Sequence, residues 1–321
     1  MNKISEFEIA LSYKCSTQCA FCYANCSPNF SKVIDLPLAL RCINSISSEY
    51  KLRTIGLLGG EPTLHRPVLL SLISQARANN IPNIMMFTNG EWGRNISEIE
   101  KMCFELKNAG LTEIILSVDY FHQLTIPLEN CLQIASKAAE NGLRVRFSMC
   151  CLENISSDNI VDKRNREIQG KISSLVNVPI QYQTLRFFGR ASKLITHYPK
   201  LHSATEVNHP CLHKDFFGSL QCPTGFLIDC FGHVQICDGI SIGNVYSQPL
   251  NKIIQNYSVK NNIILKTLFE EGPIGLNKFN QEIEFKKSKN LFVDNCHLCY
   301  YIRKLIHKKF SDVLSPQHFY S

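Results

Sequence analysis

"EFEIALSYKCSTQCAFCYANCSP", residues 6–28, runs from an apolar stretch of strand character straight into four cysteines, Cys15, Cys19, Cys22 and Cys26. Thiols crowded like this form disulfides, bind zinc or hold an iron–sulfur cluster. The chain has 321 residues and fifteen cysteines, an odd number in a sequence long enough to bury a core without crosslinks. Its opening residues lack the apolar core and small-residue cleavage site of a secretory signal, and no apolar run approaches a membrane span. The expected location is the cytoplasm, where thiols stay reduced and a disulfide framework is disfavoured. The net charge of +7 is scattered along the chain, without a basic patch interleaved with stacking aromatics. Neither nucleic acid nor membrane is an expected partner.

Outward from the cysteines, strand-length apolar runs alternate with helical periodicity. "RTIGLLG" (53–59), "NIMMFT" (83–88), "TEIILSVD" (112–119), "LRVRFSMCC" (143–151) and "PIQYQTLRF" (179–187) follow the first strand. Helices are expected near Leu38–Tyr50, over 66–80, and near Ser97–Asn108 and Leu128–Asn141. This is an α/β pattern of βα units on a parallel sheet. Six strands are too few to close an eight-stranded barrel, so the expectation is a partial (β/α)6 barrel over residues 1–195. A polar stretch with two prolines, "HYPKLHSATEVNHP" (197–210), suits a surface connection. Residues 205–321 then read as a smaller domain with a β-hairpin, clustered Cys and Gly, a Lys/Asn-rich run and a final helix.

Cys15, Cys19 and Cys22 are spaced C-x3-C-x2-C, which can hold three irons of a four-iron cube and leave the fourth open. A zinc site would want a second thiol pair close by, whereas the nearest C-x2-C, Cys296 and Cys299, lies at the far end of the chain. Cys26 offers a rival triplet with Cys19 and Cys22, which spacing leaves open. The second strand ends in "GGEP", Gly59, Gly60, Glu61 and Pro62. Glycines there let a ligand approach the backbone, and a carboxylate beside them can pair with an ammonium group.

With these residues, Phe21 before the third cysteine and "FTNG" (Thr88, Asn89, Gly90) closing the third strand, the chain resembles the radical S-adenosylmethionine (SAM) superfamily. The resemblance implies a SAM-binding [4Fe-4S] cluster on Cys15, Cys19 and Cys22. It implies cofactor contacts from Gly59, Gly60, Glu61, Pro62, Asn89, Ser117 and Ser148. Within "SVDYFHQLTIP" it places Asp119 and His122 toward the substrate, against plainer readings as a helix cap and a satisfied loop histidine. Arg144 and Arg146 are expected in salt bridges. Cys42, Cys103 and Cys131 are expected as small buried hydrophobes. Cys150 and Cys151 are expected buried in their strand, with a hydrogen-donating thiol as the alternative.

The second half carries Cys222-x9-Gly232-x4-Cys237, followed by Cys296 and Cys299. Gly232 suits a hairpin turn. The pattern resembles the SPASM and twitch extensions, and no cysteine follows Cys299, as in the twitch form. The resemblance implies a second, auxiliary [4Fe-4S] cluster on Cys222, Cys237, Cys296 and Cys299, with Cys211 as a substitute ligand and Cys230 structural. A zinc site on the same four cysteines is the alternative. The basic "RKLIHKKF" (303–310) is read as a solvated helix face in preference to a docking helix.

The function so implied is reductive cleavage of SAM to a 5′-deoxyadenosyl radical that abstracts a substrate hydrogen. The expected substrate is a ribosomally made peptide, oxidised or crosslinked by this maturase. The alternative is a dehydrogenase or epimerase acting on a small molecule such as a sugar alcohol. A non-catalytic iron–sulfur or zinc sensor is the contrasting reading, and "GGEP" stands against it. Expected partners are an electron donor such as flavodoxin or ferredoxin and a separate leader-peptide-binding protein.

Overall fold

A computed structural model describes residues 4–197, 200–211, 217–280 and 290–321. Tyr198 and Pro199 of the expected surface connection, and 281–289 of the Lys/Asn-rich run, lie outside the described residues. The chain divides into two compact units. One comprises Glu6–Cys19 and Cys26–Leu185, and the other Met1–Ser5, Ala20–Asn25 and Arg186–Ser321.

The first unit runs β1 (Glu6–Ala10), α1 (Leu36–Glu49), β2 (Thr54–Leu58), α2 (Arg66–Ala78), β3 (Asn83–Thr88), α3 (Ile96–Ala109), β4 (Glu113–Ser117), α4 (Tyr120–Gln123), α5 (Leu128–Glu140), β5 (Arg144–Cys151), α6 (Ile160–Leu175) and β6 (Ile180–Thr184). Its six strands pair in chain order and all in parallel, as helical crossovers between neighbours require. Ile9 lies beside Leu57, Ile55 beside Ile84, and Leu116 beside Phe147. All of these side chains are fully buried. Helices cover the sheet, and each βα loop therefore opens at the strands' C-terminal ends.

Local chemistry sets the helix limits. Asp35 accepts from the Leu38 N–H at 2.8 Å to start α1, and Asn95 caps α3, which ends at Gly110 in the left-handed region. On α3 the residues Ile99, Met102, Cys103 and Leu106 form one buried stripe. Cys42, Cys103 and Cys131 are all buried, as expected of small hydrophobes. Arg144 and Arg146 pair with Glu113 at 3.9 and 3.0 Å. Helix α6 escapes the sequence reading because two of its four buried positions, Asp162 and Asn165, are polar and break the apolar period.

The second unit holds α7 (Ala204–Val207), β7 (Gly225–Ile228), β8 (His233–Cys237), β9 (Ile240–Asn244), α8 (Leu250–Gln255), α9 (Ile263–Glu270) and α10 (Asn295–Ile306). Strands β7 and β8 form the expected hairpin, turning through Gly232 at φ +83°. Antiparallel β9 adds a third strand. The units divide at Leu185 and Arg186, earlier than the boundary expected at 195. Phe187 and Phe188 already belong to the second core, with Phe188 5.5 Å from the Tyr300 ring and 5.9 Å from that of Phe319. Arg303 corrects the solvated-face reading of 303–310, since its relative exposure is 0%. No helix among the described residues is long and apolar enough to cross a membrane.

Candidate functional site

The segment after β1 is pinned before the cysteines begin. Ser27 N–H donates to the Tyr13 carbonyl (3.0 Å) and Cys15 N–H to the Ser27 carbonyl (3.1 Å). On the other side, Gly60 N–H donates to Ser12 O and Glu61 N–H to Lys14 O, both at 2.8 Å. A Cβ on Gly59 would stand 2.2 Å from Ser12 O, and one on Gly60 2.0 Å from Lys14 O. The two glycines thus admit the chain that carries Cys15, where the sequence reading had them admit a ligand.

Thr17 Oγ1 lies 3.5 Å from Cys15 Sγ and 3.2 Å from Cys19 Sγ, so one hydroxyl serves both sulfurs. Asn89 Nδ2 donates to Cys15 Sγ at 3.5 Å and to Ser16 Oγ at 3.2 Å. These contacts join Cys15 to Cys19 in one setting. Cys22 belongs to the second unit, where its carbonyl accepts from Arg190 N–H at 3.1 Å.

Glu61 is 2% exposed, and its carboxylate is engaged by the protein. It accepts from Thr63 N–H (3.2 Å), Thr63 Oγ1 (2.6 Å), Thr88 Oγ1 (2.9 Å) and Asn89 N–H (2.9 Å). Burial raises its pKa, against the lowering effect of those donors. The side chain read as an ammonium partner therefore ties the end of β2 to the end of β3. Pro62 starts the turn that follows.

Ser117 and Ser148 are register neighbours at the ends of β4 and β5. Next to them, buried Asp119 caps α4 through the His122 N–H (3.1 Å) and lies 2.9 Å from His122 Nδ1. Its Oδ2 also accepts from Cys150 N–H at 3.2 Å. Asp119 is thus both the cap and the orienting partner of His122. Asn165 braces the same corner, donating to Cys150 O (2.9 Å) and accepting from Tyr120 N–H (2.8 Å). Burial first, then the nearby carboxylates, pushes the Cys151 thiol up to about 12 and raises Cys150 well above the usual range.

A second constellation lies wholly within the second unit. Cys211, Cys237, Cys296 and Cys299 line one cavity with Phe188, Leu268 and Arg303. Cys296 and Cys299 share a face in the first turn of α10, which Asp294 caps through the His297 N–H at 2.7 Å. Cys237 ends β8, and Cys211 is held by its N–H on Leu268 O at 2.8 Å. Cys222, expected in the ligand set, is not among the residues that line this cavity. The register sets Leu227 opposite Gln235, so Cys222 falls beyond the end of the hairpin. There its N–H turns back onto Ser219 O at 3.1 Å, and it is exposed. Cys230 is fully buried.

The cavity is short of negative charge. Arg303 Nη1 donates to Asp238 O (2.7 Å) and to the Tyr320 hydroxyl (2.8 Å), and that hydroxyl donates to Gly239 O (2.6 Å). Nε and Nη2 of Arg303 are buried without a hydrogen-bond partner among the described residues. Burial pushes the Cys237 thiol up to about 12 and raises Cys299, while the Arg303 charge pulls both down. A buried, incompletely paired guanidinium facing four thiols suits a site occupied by an anionic metal–thiolate group. A single zinc would need its sulfurs about 2.3 Å from one point. Among the described residues no three His, Cys, Asp or Glu side chains converge in that way. Thr17, Asn165, Arg186 and Arg303 were not singled out by the sequence reading as site residues; only their contacts reveal them.

Residues 9–162 match the model of the Radical SAM superfamily. Over 170 residues the chain is 27% identical to the probable GTP 3′,8-cyclase of Sulfurisphaera tokodaii, covering 50% of this chain and 51% of that one. The GTP 3′,8-cyclase of Clostridium perfringens is 26% identical over 176 residues, 53% of this chain and 54% of the relative. The chain thus spans about half the length of the curated relatives it matches. The fold is shared with the solved structure of native anSMEcpe with bound AdoMet and Cp18Cys peptide. That likeness has a TM-score of 0.54 at 12% identity and covers 95% of this chain and 97% of that one.

Proposed function

We propose that this chain is a radical SAM enzyme that carries a second, fully ligated [4Fe-4S] cluster and oxidises its substrate by two electrons. The observation that carries the reading is the set of Cys211, Cys237, Cys296 and Cys299 lining one cavity, on a chain whose residues 9–162 match the Radical SAM superfamily. Four thiolates saturate four irons, so such a cluster keeps no open position for substrate and serves electron transfer. Its location in the second unit corresponds to the twitch form.

Cys15, Cys19 and Cys22 hold the first cluster, and the shared Thr17 hydroxyl fits that donor set. Gly59 to Pro62, Asn89, Ser117 and Ser148 border the SAM site at the strand ends. When bound, these groups supply a hydrogen-abstracting 5′-deoxyadenosyl radical and an acceptor for the electron left on the substrate. The chain's own part is orientation and proton handling. Asp119 orients His122 through Nδ1, and this imidazole is the group we assign to take the proton that the oxidised substrate loses.

The substrate we assign is a peptide, supported by the shared fold with anSMEcpe bound to a peptide. Flavodoxin or ferredoxin delivers the reducing electron, and a separate protein presents the leader. A second reading, a small-molecule substrate, is favoured by the curated GTP 3′,8-cyclases that match the first half.

The test is anaerobic. Reduced, iron-replete protein given SAM is expected to release 5′-deoxyadenosine, and Cys19→Ala to abolish it. No product from a fully loaded chain overturns the enzyme reading. Two hydrogens lost from a peptide encoded beside the gene support the substrate. Turnover of a small molecule alone favours the second reading.

A further inference from the structure

The least expected side chain of the second unit is Arg303, a full guanidinium with no exposure. Burying a cation away from water costs several kcal/mol unless an anion faces it. The carboxylate of Asp238, whose backbone carbonyl Arg303 reaches, is already paired with Arg186 at 2.7 Å. Arg303 donates to the Asp238 backbone carbonyl and a neutral phenol, and its side chain also meets the Cys299 thiol. The Phe188 and Tyr320 rings, 5.8 and 5.7 Å from its guanidinium carbon, add weak attraction. What remains for Nε and Nη2 is the cavity lined by the four cysteines.

We propose that Arg303 is a fixed counter-charge that sets the reduction potential of a cluster held by Cys211, Cys237, Cys296 and Cys299. The inference rests on the auxiliary-cluster reading above. Each electron taken up adds one negative charge to a group that is already anionic. A buried cation lining the same cavity stabilises the reduced form more than the oxidised one, and so raises the potential. Asp238 acts with the opposite sign, moderated by its pairing with Arg186. Arg303 is a positioning residue in this scheme, since it meets the cluster and not the substrate.

The test uses the full chain with Cys15, Cys19 and Cys22 changed to Ala, so that any remaining cluster is the auxiliary one. Its midpoint is followed by spectroscopic redox titration in Arg303→Met, Arg303→Lys and Asp238→Asn. Arg303→Met is expected to cut the reduced-to-oxidised ratio at the parent midpoint about tenfold, about 59 mV downward for a one-electron couple. Arg303→Lys restores most of that shift, and Asp238→Asn moves the midpoint upward. A merely structural role for Arg303 gives no such opposed pair. Midpoints within about twofold of the parent ratio in iron-replete Arg303→Met and Asp238→Asn overturn the inference. If Arg303→Met does not fold, the partly exposed Asp238→Asn decides alone, and an unmoved midpoint overturns it. No iron in the triple-alanine parent overturns the auxiliary-cluster reading itself, and this inference with it.

Discussion

The carboxamide of Asn89 donates to the sulfur of Cys15 across 3.5 Å, linking the end of β3 to the first cysteine of the loop. A donor at a ligand sulfur stabilises thiolate charge and raises the potential of the cluster it serves. Asn89→Ala is therefore expected to make the first cluster harder to reduce and to slow SAM cleavage about 10–100-fold, the usual cost of losing an outer-shell partner. Rates of 5′-deoxyadenosine release, measured with iron content matched to the parent, check this.

The proposed ligand set separates two single variants. Cys211→Ser is expected to lose the iron of one four-iron cluster, and Cys222→Ser to keep the parent content. Iron and sulfide analysis of the two proteins side by side is decisive. Loss of iron from Cys222→Ser alone restores the set expected from sequence.

Glu61→Ala leaves the Thr88 hydroxyl and the Asn89 N–H without their buried acceptor. A loss of about 2–3 kcal/mol in unfolding free energy is expected, read by chemical denaturation of the apoprotein.

The same carboxyl gives a signed pH dependence. Burial raises its folded pKa above the ordinary 4.5. As pH climbs through the window above 4.5, the unfolded chain releases this proton first and the folded chain keeps it. Parent stability relative to Glu61→Gln is therefore expected to fall across that window, and to be greatest below it. A difference that rises with pH contradicts the assignment.

Gly60→Ala puts a methyl group 2.0 Å from Lys14 O. That atom is backbone and cannot swing aside, so the strand end and the cysteine segment must part. A loss of about 3 kcal/mol or more is expected, with less iron bound at the first cluster.

Much of this was legible in the sequence because the signals were periodic. The apolar runs of β1 to β5 recur at regular intervals, which made the parallel sheet readable, with the more polar β6 at its edge. The hairpin through Gly232 was readable from its turn chemistry, yet the partner of Cys237 was not. Which cysteine meets it depends on where a strand stops pairing, and Cys222 lies just past that point. Glu61 showed its place but not its direction, because two donors from Thr63 in its own turn and two from the end of β3 turn it inward. Arg303 was hidden by its neighbours. Lys304, Lys308 and Lys309 give the helix a solvated look, and only the tertiary packing shows that one of these cations points into the core.

Phe319 and Tyr320 have a bearing on how the protein is made. Both are buried, and the Tyr320 hydroxyl is the group that receives Arg303 and closes onto Gly239. Asn25, from the first cysteine loop, donates to the carbonyls of His318 and Phe319 at 3.2 and 3.3 Å. Ribosomal synthesis adds Phe319 and Tyr320 after all fifteen cysteines have been incorporated. The cavity on the second unit therefore takes its final form only after nearly the whole described chain has been translated. A nascent chain stopped before Phe319 has every thiol it needs and no settled seat for the buried cation beside them.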